Sequence, residues 1–330
     1  MTLARVAALP ARTWALGGGL VLAALGSLAL GAAHVPLSSL VPALLDADHP
    51  FHRLVWEVRA PRIVLAALVG GALGLSGAVV QTAVRNPLAD PGLLGVTAGA
   101  GLGALLCLVF APEHAFWLPA CAMLGGLAAV TPILSFASRA SGVSGAARLI
   151  LVGVAVNAVF GSAIALVTFF FADRAPAYVS FTIGSLNARG WREVWIAGPA
   201  LVLGCLALLP LRRSLDALLL DDASAGGVGA PVRALRITAC AIAAGLTGAA
   251  VSVAGLVGFV GLVVPNWLRL ALGPEHARLL PACALGGALL VSIADCVART
   301  AAAPLELPVG ALLALIGGPY FLSLVLRRVH

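Results

Sequence analysis

Charged and amide side chains are scarce in this chain, and where they occur they cluster. The first cluster is Arg59-Ala60-Pro61-Arg62, followed by Gln81 and by Arg85-Asn86-Pro87-Leu88-Ala89-Asp90-Pro91. The second is Gly258-Phe259-Val260-Gly261-Leu262-Val263-Val264-Pro265-Asn266, followed by Asp295, Arg299 and Glu306-Leu307-Pro308-Val309-Gly310. Both interrupt long apolar runs. A charge inside hydrocarbon is costly without a partner, so such residues mark pairing, recognition or ion movement. Asp295 and Arg299 are one helical turn apart, a spacing at which side chains meet, and Glu57 neighbours Arg59. A lone intramembrane carboxylate could also relay protons, and Asp295 is the candidate for that. His49 and His52, near Asp46 and Asp48, form a weak candidate metal site outside the membrane; a solvated loop is the plainer reading.

Covalent chemistry has little support. The chain has no GxxxxGK[ST] phosphate loop, HExxH or CxxC. The six cysteines (Cys107, Cys121, Cys205, Cys240, Cys283, Cys296) lie in apolar stretches without paired spacing and read as buried thiols. No catalytic residue, metal ligand or bound cofactor is expected.

The elements that position these groups must be membrane helices. The chain is 61% hydrophobic and 10% charged, with a mean hydropathy of +1.08, which leaves too little polar surface for a water-soluble fold. A spanning helix needs roughly 20 apolar residues, and runs of that kind predict helices near 13–33, 62–84, 92–110, 116–137, 147–171, 193–210, 234–254, 256–270, 279–299 and 308–326. Pro265 and three glycines interrupt the eighth and shorten it. Arg5 and Arg12 precede a run that resembles a signal peptide, but its length favours an uncleaved first helix. The fold class is therefore an all-α polytopic membrane protein with about ten transmembrane helices, a single transmembrane domain over 1–330.

All 20 basic residues are arginine and the net charge is +7. The arginines stand singly or in pairs between apolar runs, which excludes a nucleic-acid surface. With the N-terminus inside, thirteen fall on the cytoplasmic side and seven outside, as the positive-inside bias requires, and both termini are then cytoplasmic. The six tryptophans fall near expected helix ends, where an interfacial belt belongs. Glycine pairs such as Gly70/Gly74 and Gly99/Gly103, and the Gly255/Gly258/Gly261 set, predict close helix packing. A faint echo links Gly71-Ala72 through Gly77 with Gly248-Ala249 through Gly255.

The two polar clusters together resemble the FecCD/cobalamin-type permease family of binding-protein-dependent ABC importers for iron complexes (siderophores and heme) and cobalamin. The resemblance runs from about residue 10 to the C-terminus. It implies the type II ABC importer permease architecture: a homodimer around one pathway in the bacterial inner membrane, two cytoplasmic ATPase subunits that hold ATP and Mg, and a periplasmic substrate-binding protein. By the same resemblance Arg59, Arg62 and Arg299 dock the binding protein. The polar segment 212–236 couples to the ATPase, with Asp221, Asp222, Ala225 and Gly229 as contact residues. Asn86, Leu88, Gly145 and Ala146 map to the inner gate. The Gly184-Ser185-Leu186 signature is more like siderophore and heme members, whereas Asp90-Pro91-Gly92-Leu93-Leu94-Gly95 is shared with cobalamin members. An iron complex is the expected cargo, with cobalamin as the alternative. A proton-coupled secondary transporter using Asp295 is the alternative of another class, and an assembly or sensory protein is a third. Asn266 departs from the histidine many members carry there, with no role evident from sequence.

Overall fold

The computed structural model describes residues 11–31, 35–92, 94–137, 144–174, 181–219 and 231–329. Its helices in chain order are α1 Ala11–Ala29, α2 Leu37–Leu45, α3 Ala60–Val84, α4 Val96–Phe110, α5 Leu118–Ala137, α6 Ser144–Phe170, α7 Trp191–Leu208, α8 Arg212–Ala217, α9 Val232–Ala254, α10 Val260–Leu272, α11 His276–Thr300 and α12 Val309–Val329. Among the described residues, six spans are long and apolar enough to cross a membrane, and four shorter apolar helices occupy the other expected positions. A π-helical turn, Arg53–Arg59, runs directly into α3.

The bundle is built around α3, whose span is 83% buried, with α9 next at 78%. Small residues put it there. A Cβ at Gly70 would stand 2.2 Å from Gly287 O, and one at Gly74 would stand 2.4 Å from Cys283 O, so α3 lies backbone to backbone on α11. Gly77 meets α10 in the same way, 1.9 Å from Gly261 O. A second such crossing joins α4 to α5, where Gly99 and Gly103 face Gly125 O and Cys121 O. Without a hydrophobic drive between helices in lipid, such dispersion contacts are what hold a bundle together. The weak sequence echo falls on α3 and α9, the two most enclosed helices. They are joined by Ser76 Oγ, which donates to Ala243 O at 2.9 Å and lies 2.7 Å from Thr247 Oγ1.

Peripheral helices show the opposite pattern. The α6 span is 11% buried, and Leu151, Val159, Leu166, Phe169 and Phe170 project outward from it. Trp14, Trp56, Trp117, Trp195 and Trp267 are exposed. The sixth, Trp191, packs tilted against Trp56 at 5.1 Å between ring centroids and donates its indole N–H to Trp56 O.

The interrupted eighth span resolves into a turn and a short helix. Phe259 takes a left-handed conformation (φ 66°) immediately before α10, and Gly255 (φ 68°) ends α9. The Gly184-Ser185-Leu186 segment is stapled against this turn. Gly310 N–H donates to Gly184 O, Leu256 N–H donates to Phe181 O, and Leu186 is fully buried. Gly184 (φ 73°) leaves no room for a side chain, since its Cβ would lie 2.4 Å from Leu256 O.

Candidate functional site: two polar lattices at the ends of one helix

Helix α3 has 25 residues, which at 1.5 Å per residue makes it about 37 Å long. Each end is set in a polar lattice.

At the N-terminal end, Pro61 in the first turn leaves no backbone N–H to satisfy, and Arg62 points into the bundle. Its Nε donates to both oxygens of Asp295 (2.9 and 3.1 Å), its Nη2 approaches Asp295 Oδ1 at 2.9 Å, and its Nη1 donates to Glu306 at 2.7 Å. Arg299 approaches the same aspartate from one turn further along α11, with Nε 3.1 Å from Oδ2. That contact is an ion pair whose angle falls short of a hydrogen bond. Arg299 also donates to the carbonyl and hydroxyl of Ser27, and Arg59 donates to Leu28 O, so both bind α1 into the cluster. Asp295 is 1% exposed, whereas the Glu306 side chain is 32% exposed and forms the rim.

The expected Asp295–Arg299 turn contact is therefore present. The bridge from Arg62 across 233 residues was not visible in the sequence. All three arginines of the expected docking set lie together but buried, with partners inside the chain. Asp295 has both oxygens engaged by guanidinium groups and so holds the ends of two helices together.

On the same side a cavity of about 540 Å³ opens among Phe181, Ser185, Asn187, Arg189 and Pro308. Burial lowers the Arg189 pKa, offset in part by Glu193. The cavity offers a guanidinium and neutral polar groups beside apolar walls.

At the C-terminal end of α3, Arg85 adopts a left-handed conformation (φ 53°), and the chain turns through Asn86-Pro87-Leu88. Asn86 Oδ1 accepts from Leu88 N–H at 2.9 Å, an Asx turn that fixes the loop locally. Three bonds with residues distant in sequence fasten it to the bundle. Asn266 donates to Pro87 O at 2.7 Å as well as to Leu262 O, Asn157 donates to Gly92 O at 3.1 Å, and Arg85 Nε donates to Leu218 O at 3.0 Å. Asn266, which had no role by sequence, ties α10 to the turn. Gln81 donates to Gly261 O and accepts from Arg269. Asp90 is buried beneath the turn and accepts from Gly92 N–H at 2.7 Å. Burial pushes its carboxyl up to about 6 against the pull of that bond.

Sequence reasoning missed one further set. Thr82, His276 and Asp216 meet in this lattice although up to 194 residues separate them. A threonine near a helix end and a histidine at a helix start carry no signal of a shared contact. Of the other expected residues, Gly145 and Ala146 fall in the first turn of α6. Asp221, Asp222, Ala225 and Gly229 lie outside the described residues. His49 and His52 make turn contacts: Phe51 N–H donates to His49 Nδ1, and His52 Nδ1 bonds Ala43 O.

This architecture is shared with known transporters. The FecCD transport family matches residues 19–327. The chain belongs to that family. The hemin transport system permease protein HmuU of Yersinia pestis is 40% identical over 315 residues, spanning 94% of this chain and 93% of its own length. The Fe(3+) dicitrate transport system permease protein FecD of Escherichia coli is 38% identical, at 92% and 94% coverage. A cobalamin import system permease protein of Halobacterium salinarum is 39% identical over 83% of this chain and 74% of its own length. Among solved structures, a metal-chelate type ABC transporter in an inward-facing conformation superposes with a TM-score of 0.84 at 29% identity, covering 96% of this chain and 99% of that one. This FecCD-family chain is thus a multi-pass membrane permease of the ABC importer type.

Proposed function

We propose that this permease carries an iron chelate across the bacterial inner membrane, as one of two identical copies around a central path. Two ATPase subunits, which hold the ATP and Mg, sit below it, and a periplasmic binding protein delivers the cargo from above. The observation that carries the reading is the match over nearly the whole length to the hemin and ferric dicitrate permeases. The outward apolar face of α6 suits a second copy. Both termini are cytoplasmic in this arrangement, and segment 212–236 faces the ATPase, with Asp221, Asp222, Ala225 and Gly229 as its contacts. The gate is formed by Asn86 and Leu88 with Gly145 and Ala146.

Docking of the binding protein falls to the end that holds Arg59, Arg62 and Arg299. Because these arginines are paired internally, an incoming carboxylate competes with Asp295 and Glu306 for them, and Glu306 at the rim is the first to yield. Release of cargo is thereby linked to a rearrangement of helix ends. Arg189 in its apolar-walled cavity suits an anionic ligand with a large apolar body, in keeping with a carboxylate-bearing iron complex.

The test is uptake by the co-expressed permease, ATPase and binding protein, offered hemin, ferric dicitrate and cobalamin in parallel. Uptake of one iron complex, lost in R62E, is the expected result. Uptake of cobalamin alone overturns the iron assignment.

A further inference from the structure

The lattice at the C-terminal end of α3 contains a bridge between three elements that no step above uses. His276, the first residue of α11, is 0% exposed. Its Nε2 lies 2.8 Å from Thr82 Oγ1 on α3, and its Nδ1 lies 2.7 Å from Asp216 Oδ1 on α8. The same carboxylate oxygen also accepts the His276 backbone N–H at 2.9 Å.

Proton counting fixes the roles. An ionised carboxylate only accepts, so Nδ1 carries a hydrogen toward Asp216. The Thr82 hydroxyl has one hydrogen and two acceptors in reach, Nε2 and Ala78 O at 3.0 Å. If the hydroxyl donates to Ala78 O, Nε2 is protonated and the ring is an imidazolium. If it donates to Nε2, the ring is neutral. Both arrangements keep the bond to Asp216, so the bridge is mechanical and holds in either protonation state.

Its position gives it a use. Helix α8 opens the polar segment 212–236, and Leu215 and Leu218 anchor that segment by full burial. The two helices that His276 joins to α8 are α3 and α11, which touch backbone to backbone at Gly70–Gly287 and Gly74–Cys283. Their other ends hold the Arg62–Asp295 ion pair. A stiff two-helix strut therefore runs from Asp216 to the arginine lattice, tied at both ends by buried polar bonds. We propose that His276 is a positioning residue that passes displacement of segment 212–236 into this strut, and so couples ATP hydrolysis at one end of the molecule to the arginine lattice at the other. The inference rests on the reading of 212–236 as the segment that meets the ATPase. Because coupling between binding equilibria is reciprocal, the same strut carries the effect of a docked binding protein back to nucleotide affinity at the ATPase.

The test measures hemin or ferric dicitrate taken up per ATP hydrolysed in proteoliposomes of the complete complex, with thermal unfolding recorded beside it. H276N places an amide donor where Nδ1 stood and keeps the side-chain bond to Asp216; H276Q places its amide near Nε2 and leaves Asp216 held only by the backbone N–H of residue 276. Each removes one hydrogen bond, so a merely structural histidine gives the two variants the same result. The strut predicts that H276N stays near the wild-type ratio while H276Q falls roughly 5- to 10-fold, within the usual range of coupling energies. D216A, changed at a partly exposed site, also frees the His276 backbone N–H, so it should fall at least as far as H276Q, and the double variant H276Q/D216A should be no worse than D216A alone. Equal ratios for H276N and H276Q, or additive losses in the double variant, overturn the proposal while leaving the importer reading intact. A wild-type complex that hydrolyses ATP and moves cobalamin but neither iron complex overturns the iron assignment, and the strut is then tested by the same ratio with cobalamin as cargo.

Discussion

The Arg62–Asp295–Arg299 cluster shows what a buried charge does when its partners come from different helices. Replacing a whole buried ion network with apolar residues can be neutral, but removing one member leaves uncompensated charge and costs about 3–5 kcal/mol. D295N is the sharp case, because Arg62 and Arg299 both lose their central anion. A loss of that size in thermal unfolding of the detergent-solubilised protein is the expected result. Asp90 makes a second prediction at this scale. Its carboxyl is raised from an ordinary 3.8 to about 6 by burial, so between those values the folded chain holds a proton that the unfolded chain has released. Stability therefore falls as pH rises through that window and levels off above it, since the state that binds more protons is favoured at low pH. D90N should flatten the slope between pH 4 and 6, read by unfolding at a series of pH values. Individual polar residues were visible in the sequence as interruptions of apolar runs. Their partners were not, because Arg62 and Asp295, or Thr82 and His276, are brought together only by helix packing across hundreds of residues.

At the scale of elements, the glycine spacing had a definite consequence. The pairs Gly70/Gly74 and Gly99/Gly103 do mark backbone-to-backbone crossings, whereas Gly258 faces open space. G77A puts a methyl group 1.9 Å from Gly261 O with only backbone to yield, and overpacking of this kind typically costs about 1–3 kcal/mol. G258A, by contrast, should stay within about 0.5 kcal/mol of wild type. Unfolding midpoints of the two variants, measured side by side, check both. The ten expected spans were legible because each is a long apolar run, and their boundaries moved by a few residues at most ends. Elements without such a run were missed: α2, α8 and the π-helical turn before α3 are short or carry polar residues. By resemblance the Gly184-Ser185-Leu186 signature points to the cargo. It also has a structural task, stapling the chain between α9 and α12.

At the scale of the molecule, the same buried helix carries a polar lattice at each end, and the peripheral helices present apolar surface. Such a layout suits the lever that the proposed transport cycle requires. Composition and positive-inside bias were enough to read a multi-pass membrane protein, and the two polar clusters were enough to place it near iron-complex permeases. The sequence could not show that the arginines of one end are internally paired, so that the proposed docking would proceed by exchange of partners rather than by simple attraction. The central claim is that transport through this chain is powered by ATP in partner subunits and not by an ion gradient acting on Asp295. Uptake of a ferric chelate into proteoliposomes containing permease, ATPase and binding protein decides it most directly, with ATP supplied to the ATPase face in one arm and a proton gradient without ATP in the other. The account predicts uptake in the ATP arm, unchanged when the gradient is collapsed. Uptake that proceeds on the gradient alone, and stops when it is dissipated, would contradict it.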